Sequence, residues 1–121
     1  MSRVLIVYDS PTEIYKLASM LEKNGHEVLK ADNGADGVAL ARKELPDAIL
    51  MDIVMPGLNG LKATRQLTKD ADTGHIPVII VSTKDQETDK VWGKRQGARG
   101  YLTKPVEEAV LLSTLAEVLA G

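Results

Sequence analysis

Residues 47–57 read DAILMDIVMPG, in which an apolar run ends on Asp52 and the turn Met55-Pro56-Gly57 follows within a few residues. A continuous apolar run of this length, rather than an alternating one, is typical of a strand buried on both faces of a parallel sheet. Parallel α/β sheets bind ligands beyond the carboxyl ends of their strands. A carboxylate at such an end, before a tight loop, therefore indicates a functional site.

Three other apolar runs end on polar side chains in the same way. Residues 4–7 lead to Tyr8 and Asp9, residues 78–81 lead to Ser82 and Thr83, and residues 101–102 lead to Lys104 and Pro105. The carboxyl ends of parallel strands lie on one edge of the sheet. We therefore expect a carboxylate pair, a hydroxyl and an ammonium to share one cleft.

Segments with helical spacing separate these runs. Strands are predicted at 3–8, 26–31, 47–51, 76–81 and 100–102, and helices at 34–44, 60–69 and 85–96. A first helix is predicted from Pro11 to the stop signal Asn24-Gly25, with Ser10 and Glu13 as a capping box, and a last one from Val106 onward. Five strand-then-helix units predict an α/β fold with a parallel sheet covered on both faces.

The bulk composition excludes several classes of function. The chain has 121 residues, which predicts one domain spanning 1–121. A formal net charge of -2 does not favour a nucleic acid or an anionic membrane as partner. The chain has no cysteine, so disulfides and thiolate chemistry are excluded. With no signal peptide and no 18-residue apolar stretch, we expect a soluble cytoplasmic protein.

Over its whole length the chain resembles the receiver domains of bacterial two-component response regulators. The resemblance rests on Asp52 with its Met-Pro-Gly loop, the acidic end of the first strand, the hydroxyl of Ser82 and the pair Lys104-Pro105, in that family's order and spacing. Residues 10–15 and 83–105 look like the stand-alone regulators of chemotaxis-like systems that control type IV pili and twitching motility. The resemblance implies a flavodoxin-like doubly wound fold with strand order 2-1-3-4-5 and no output domain.

The resemblance also implies a phosphorylation site. Asp52 would be the phosphoacceptor, and Mg²⁺ would be held by Asp9, Asp52 and the backbone carbonyl of Val54. Mg²⁺ suits such a site because it takes one or two carboxylates together with phosphate oxygens and waters. Lys104 and Ser82 would contact the phosphoryl oxygens.

Further positions would govern the response to phosphorylation. By resemblance, Ser82 moves toward the phosphoryl group and Tyr101 turns inward, which remodels the surface of the fourth helix, fifth strand and fifth helix for a downstream protein. The phosphodonor would be a histidine kinase, and the chain itself would be no enzyme beyond intrinsic self-phosphorylation and self-dephosphorylation. Val54 and Lys84 lie where the family tunes the lifetime of the phosphate. The Lys104-Pro105 peptide bond is cis in the family.

Tyr8 departs from the family pattern, which usually has two adjacent acids at the end of the first strand. The missing acid commonly holds the metal through water, so we expect Tyr8 to weaken Mg²⁺ binding without abolishing it. This departure keeps open a degenerate receiver that binds partners without phosphorylation. A flavodoxin-like cofactor binder is disfavoured because residues 9–12 offer no glycine to cradle a phosphate. An aspartyl phosphatase is disfavoured because Val54 stands where a second acid would serve as general acid and base.

Overall fold

A computed structural model describes residues 2–120. Its strands are β1 (Arg3–Val7), β2 (Glu27–Ala31), β3 (Ala48–Asp52), β4 (Val78–Ser82) and β5 (Gly100–Thr103). Its helices are α1 (Pro11–Lys23), α2 (Gly34–Glu44), α3 (Gly60–Lys69), α4 (Glu87–Arg95) and α5 (Glu108–Ala120). Each predicted strand and helix is present, and strands and helices alternate along the chain.

The five strands form one parallel sheet in the order β2-β1-β3-β4-β5. The register pairs Val7 with Met51, so the next residues along, Tyr8 and Asp52, follow as neighbours at the carboxyl edge. Asp52 itself pairs with Val81 on β4. The predicted α/β fold and strand order are thus confirmed. The chain places β2 on one side of β1 and then crosses to the other side, where β3, β4 and β5 follow in order.

Two apolar clusters cover the two faces of the sheet. On one face Ile6, Leu50 and Val81 pack with residues of α1 and α5. On the other face Leu5, Ile49 and Val78 pack with residues of α2 and α3. The three inner strands are therefore buried on both faces, which explains their continuous apolar runs.

Local signals determine where most helices begin. The side chains of Ser10, Asn33 and Asn59 accept hydrogen bonds from backbone amides in the first turns of α1, α2 and α3. The fourth helix was predicted from residue 85 but begins at Glu87, because the amide of Gln86 donates to Asp89 Oδ2 at 3.2 Å and Gln86 becomes the cap.

Other predicted boundaries also need correction. The third and fourth strands extend one residue further than predicted, so Asp52 and Ser82 are the last residues of β3 and β4. Val106 precedes α5 and packs against the α1 and α5 face from the loop, so it is not a residue of that helix. Within residues 2–120, no helix is both long and apolar enough to cross a membrane.

Candidate functional site

The strand ends bring the predicted site residues to one edge of the sheet. Asp52 ends β3, Ser82 ends β4, Tyr8 and Asp9 follow β1, and Lys104 follows β5. The backbone amide of Lys104 donates to the carbonyl of Ser82 at 2.8 Å, so the loop after β5 continues alongside the end of β4. The predicted cleft therefore exists.

Asp52 lies at the centre of this cleft and is almost entirely buried, with 4% of its surface exposed. Its Oδ2 accepts a hydrogen bond from Lys104 Nζ at 3.2 Å. Burial raises the pKa of Asp52 above its usual value, and the attraction of Lys104 offsets part of that rise. The neighbouring ammonium thus favours the ionised form, which is the nucleophilic one.

Lys104 is held from three directions. Its Nζ lies 3.2 Å from Asp52 Oδ2, 2.9 Å from Glu13 Oε1 and 4.8 Å from the centroid of the Tyr8 ring. Burial alone lowers the pKa of Lys104, but its bonds to Glu13 and Asp52 raise that pKa overall. The ammonium is therefore charged and is oriented by an ion pair on each of two sides and a cation–π contact on a third.

Tyr8 is buried beneath this ammonium. Only 1% of its surface is exposed, and it packs in the same apolar cluster as Ile14 and Leu17 of α1. Its hydroxyl is buried and has no hydrogen-bond partner among residues 2–120. Burial raises the pKa of Tyr8, and the negative charges of Asp52 and Glu13 raise it further, so the phenol is neutral. The residue that departs from the family pattern is thus a packed aromatic in contact with Lys104.

Asp9 follows β1 and Val54 follows β3, so both lie beyond strand ends at this edge of the sheet. Asp9 is exposed, and Val54 is 64% exposed in the loop after β3. In residues 2–120 no group of three or more His, Cys, Asp or Glu side chains is placed to hold a metal ion. Apart from Glu13, which contacts Lys104, the carboxylates described at this edge are Asp9 and Asp52.

Ser82, Lys84 and Tyr101 are linked through one loop. The hydroxyl of Ser82 is buried and accepts from the amide of Lys84 at 3.1 Å. The carbonyl of Lys84 accepts from the Tyr101 hydroxyl at 2.6 Å. Burial raises the pKa of Tyr101. In this structure the Tyr101 ring is therefore partly buried, and its hydroxyl is anchored to the loop after β4.

The sequence did not predict the roles of two residues at this site. Glu13 was predicted to close a capping box with Ser10, but its carboxylate contacts Lys104 instead, and only the Ser10 half of the cap forms, at 3.4 Å to the Glu13 amide. Gly60 is predicted only as the first residue of the third helix, yet a Cβ there would collide with the backbone carbonyl oxygen of Asp52. Only glycine lets α3 begin so close to the phosphoacceptor candidate. No local signal indicates the Glu13 contact.

Comparison with known proteins identifies the family. The sequence profile of the response regulator receiver domain matches residues 4–116. This chain belongs to that family. The resemblance stated above from the motifs is thereby confirmed.

Among relatives, the receiver domain is 77% identical over 121 residues to Protein PilH of Pseudomonas aeruginosa, a match that spans all of both chains. The chemotaxis protein CheY4 of Vibrio cholerae has a similar structure, with a TM-score of 0.92 at 31% identity over 98% of each chain. The receiver domain of sensor histidine kinase PA1611 from P. aeruginosa, solved with a magnesium ion coordinated in its active-site cleft, superposes with a TM-score of 0.91 at 28% identity over 99% and 98% of the two chains. These matches agree with the flavodoxin-like fold.

Proposed function

We propose that this receiver domain is a phosphorylation-dependent switch that accepts a phosphoryl group on Asp52 from a histidine kinase. The observation that carries the proposal is the buried Asp52 carboxylate at the end of β3, with Lys104 Nζ 3.2 Å away. A buried carboxylate paired with one ammonium on an otherwise open edge of the sheet is suited to nucleophilic attack.

The groups that the receiver domain contributes to the transfer all lie in this cleft. An Asp52 carboxylate oxygen attacks phosphorus, the bond from phosphorus to the kinase imidazole nitrogen breaks, and that nitrogen keeps the electron pair. Lys104 then donates to a phosphoryl oxygen, and the Ser82 hydroxyl donates to another after turning from the Lys84 amide. Both donors lie at the same edge of the sheet as Asp52, Ser82 at the end of β4 and Lys104 directly after β5.

The donor set fits Mg²⁺, since that ion usually takes one or two carboxylates and keeps several waters. Asp9, Asp52 and the backbone carbonyl of Val54 would hold it. Bound Mg²⁺ would offset the repulsion between Asp52 and the incoming phosphoryl group. The magnesium bound by the PA1611 receiver domain supports this assignment. Tyr8 contributes no charge, so we expect binding weaker than with a second acid at that position.

The switch would run from Ser82 to the surface of α4, β5 and α5. Movement of Ser82 toward the phosphoryl group would break its bond to the Lys84 amide, and the Lys84 carbonyl anchors Tyr101. On α4, Val91 and Trp92 are exposed, and the Arg95 guanidinium lies 5.4 Å from the centroid of the Trp92 ring. This surface would engage the downstream protein.

The likeness to Protein PilH supports a role in type IV pilus-driven motility. Identity of 77% along the whole length of both chains favours the same class of kinase and target.

One observation favours a second candidate, a receiver that binds its partner without phosphorylation. Tyr8 fills the place of an acid and covers Lys104 from below. A cleft in which neither Mg²⁺ nor phosphate binds would leave the chain in one conformation, and only that conformation would be recognised.

Incubation with acetyl phosphate and Mg²⁺, followed by intact mass measurement, separates the two functions. The wild type should gain one phosphoryl group, Asp52→Ala none, and the modified peptide should contain Asp52 as a base-labile, acid-stable acyl phosphate. An unmodified wild type at high Mg²⁺ would favour the phosphorylation-independent receiver. Phosphate found on a serine or threonine would contradict the proposal.

A further inference from the structure

Glu13 is an acid inside the cleft that no step above uses. It lies in the first turn of α1, and its Oε1 stands 2.9 Å from Lys104 Nζ, closer than the 3.2 Å that separates Lys104 from Asp52. The Glu13 side chain is partly exposed, whereas Asp52 is buried. Glu13 is thus the nearer and better solvated of the two carboxylates that share one ammonium.

An ammonium has three N–H donors and no acceptor. Two carboxylates and the face of the Tyr8 ring already surround Lys104 Nζ. A phosphoryl group on Asp52 brings more negative charge to the same ammonium. Glu13 must then either release Lys104 or remain beside the phosphoryl group as a like charge, and both outcomes disfavour the phosphorylated form.

We infer that Glu13 is a positioning residue that holds Lys104 in the unphosphorylated state and competes with the phosphoryl group for it. The inference rests on the proposed function, because the competitor is the phosphoryl group on Asp52. Glu13 would therefore lower the stability of the phosphorylated state without touching the reacting atoms. Neutralising Glu13 should release the ammonium for the phosphoryl group.

The size of the effect follows from the exposure of the pair. Ion pairs with a partly exposed partner change an equilibrium by about 1.5- to 5-fold. Salt screens such pairs. The competition should therefore be modest at low salt and smaller at high salt.

Titration with beryllofluoride, a mimic of the aspartyl phosphate, tests the competition at fixed Mg²⁺. Glu13→Gln should lower the beryllofluoride midpoint by about 1.5- to 5-fold, and the difference from wild type should shrink as salt is added. Glu22→Gln makes the same charge change at an exposed position near the other end of α1 and should bind as the wild type does. An unchanged or higher midpoint for Glu13→Gln would overturn the inference.

The contact itself has a separate readout, the ¹⁵N-detected ammonium signal of Lys104 in the absence of the mimic. Loss of the Glu13 partner should shift this signal and speed its proton exchange with water, while Glu22→Gln leaves it unchanged. A Lys104 signal that does not respond to Glu13→Gln overturns the inference whatever the mimic does. A wild type that binds no mimic at all overturns the proposed function and with it the competition, even where the Lys104 signal responds.

Discussion

The two sides of Asp52 differ in how completely they are built. On one side Lys104, Glu13 and the Tyr8 ring form a connected group with contacts of 3.2, 2.9 and 4.8 Å. On the other side Asp9 and Val54 are exposed. We call these the lysine side and the open side.

The difference has a physical cause. The lysine side is formed where α1 and the loop after β5 pack together over the sheet, so its charges are partly buried and must be paired. The open side is formed by two loops whose polar groups water can satisfy. The fold therefore supplies a fixed cation on the lysine side, whereas a cation on the open side would have to come from solution.

Removing Lys104 should break the lysine side and give the largest effect. Lys104→Met leaves the phosphoryl oxygens without their fixed cation, and loss of one such group commonly costs about 100-fold or more in rate. The rate of phosphorylation by acetyl phosphate measures this. Lys16→Met, an exposed lysine on α1, is the matched control and should retain the wild-type rate. A rate within a factor of about two of wild type for Lys104→Met would remove the lysine from the mechanism.

Supplying a carboxylate at position 8 should sharpen the comparison, because it replaces the ring of the lysine side with a group that can serve a metal ion on the open side. Tyr8→Asp adds a group that can orient the waters of the metal, and such partners commonly change metal affinity by about 10- to 100-fold. Calorimetric titration with Mg²⁺ should show a correspondingly lower dissociation constant.

The control for this experiment is Tyr8→Phe, which keeps the ring below Lys104 and adds no charge. Its Mg²⁺ affinity should equal that of the wild type. Equal affinities for wild type and Tyr8→Asp would instead make the phenol a passive packing residue. That outcome would assign the weak binding of Mg²⁺ to Asp9 or Val54 instead.

The residues at strand ends were predictable because one pattern determines them. A buried parallel strand must be apolar throughout, so Asp52 and Ser82 stand out as the first polar positions beyond such runs, and Lys104 lies two residues beyond the short run 101–102. The parallel direction of the strands follows from their alternation with helices, whereas their order was implied by the resemblance to receiver domains. The cleft and its principal polar groups were therefore accessible from sequence.

The contacts between distant segments were not predictable in this way. Glu13 satisfied a local capping pattern, and only the approach of the loop after β5 gives its carboxylate a stronger partner. Gly93 lies inside the fourth helix, where a glycine judged by its local sequence alone indicates flexibility. In the structure it is buried, and a Cβ there would stand 2.9 Å from Ile80 Cδ1, so it permits close packing of α4 on the sheet. Both contacts join segments that are distant in the sequence, so neither can be predicted from neighbouring residues alone.

The lifetime of the phosphate should depend on the open side, with a smaller effect than the first two changes. Hydrolysis requires a positioned water, and the exposed side chain of Val54 offers it no hydrogen bond. Val54→Asn should therefore speed loss of phosphate severalfold, measured by intact mass after removal of the phosphodonor. Val54→Leu is the control, because it changes size without adding a polar group. Equal rates of phosphate loss in all three proteins would indicate that Lys84, and not Val54, determines that rate.

The smallest expected effect is on the free energy of unfolding. It tests how far the contact with Lys104 offsets the cost of burying the Asp52 carboxylate. Because burial raises the pKa of Asp52 above its ordinary 3.8, the folded state holds a proton that the unfolded state has lost within the window between the two values. The stability contributed by this group therefore falls as pH rises through that window and is level above it.

Asp52→Asn removes the titrating group, so its free energy of unfolding relative to wild type should rise across the same window and stay constant toward neutral pH. Urea unfolding at a series of pH values measures both curves, with Asp85→Asn, an exposed acid, as control. Parallel curves for wild type and Asp52→Asn would mean that Lys104 cancels the cost of burial completely. The lysine side would then hold the Asp52 carboxylate at no cost in the free energy of unfolding. Only the open side, through its Mg²⁺ affinity, would then limit the cleft.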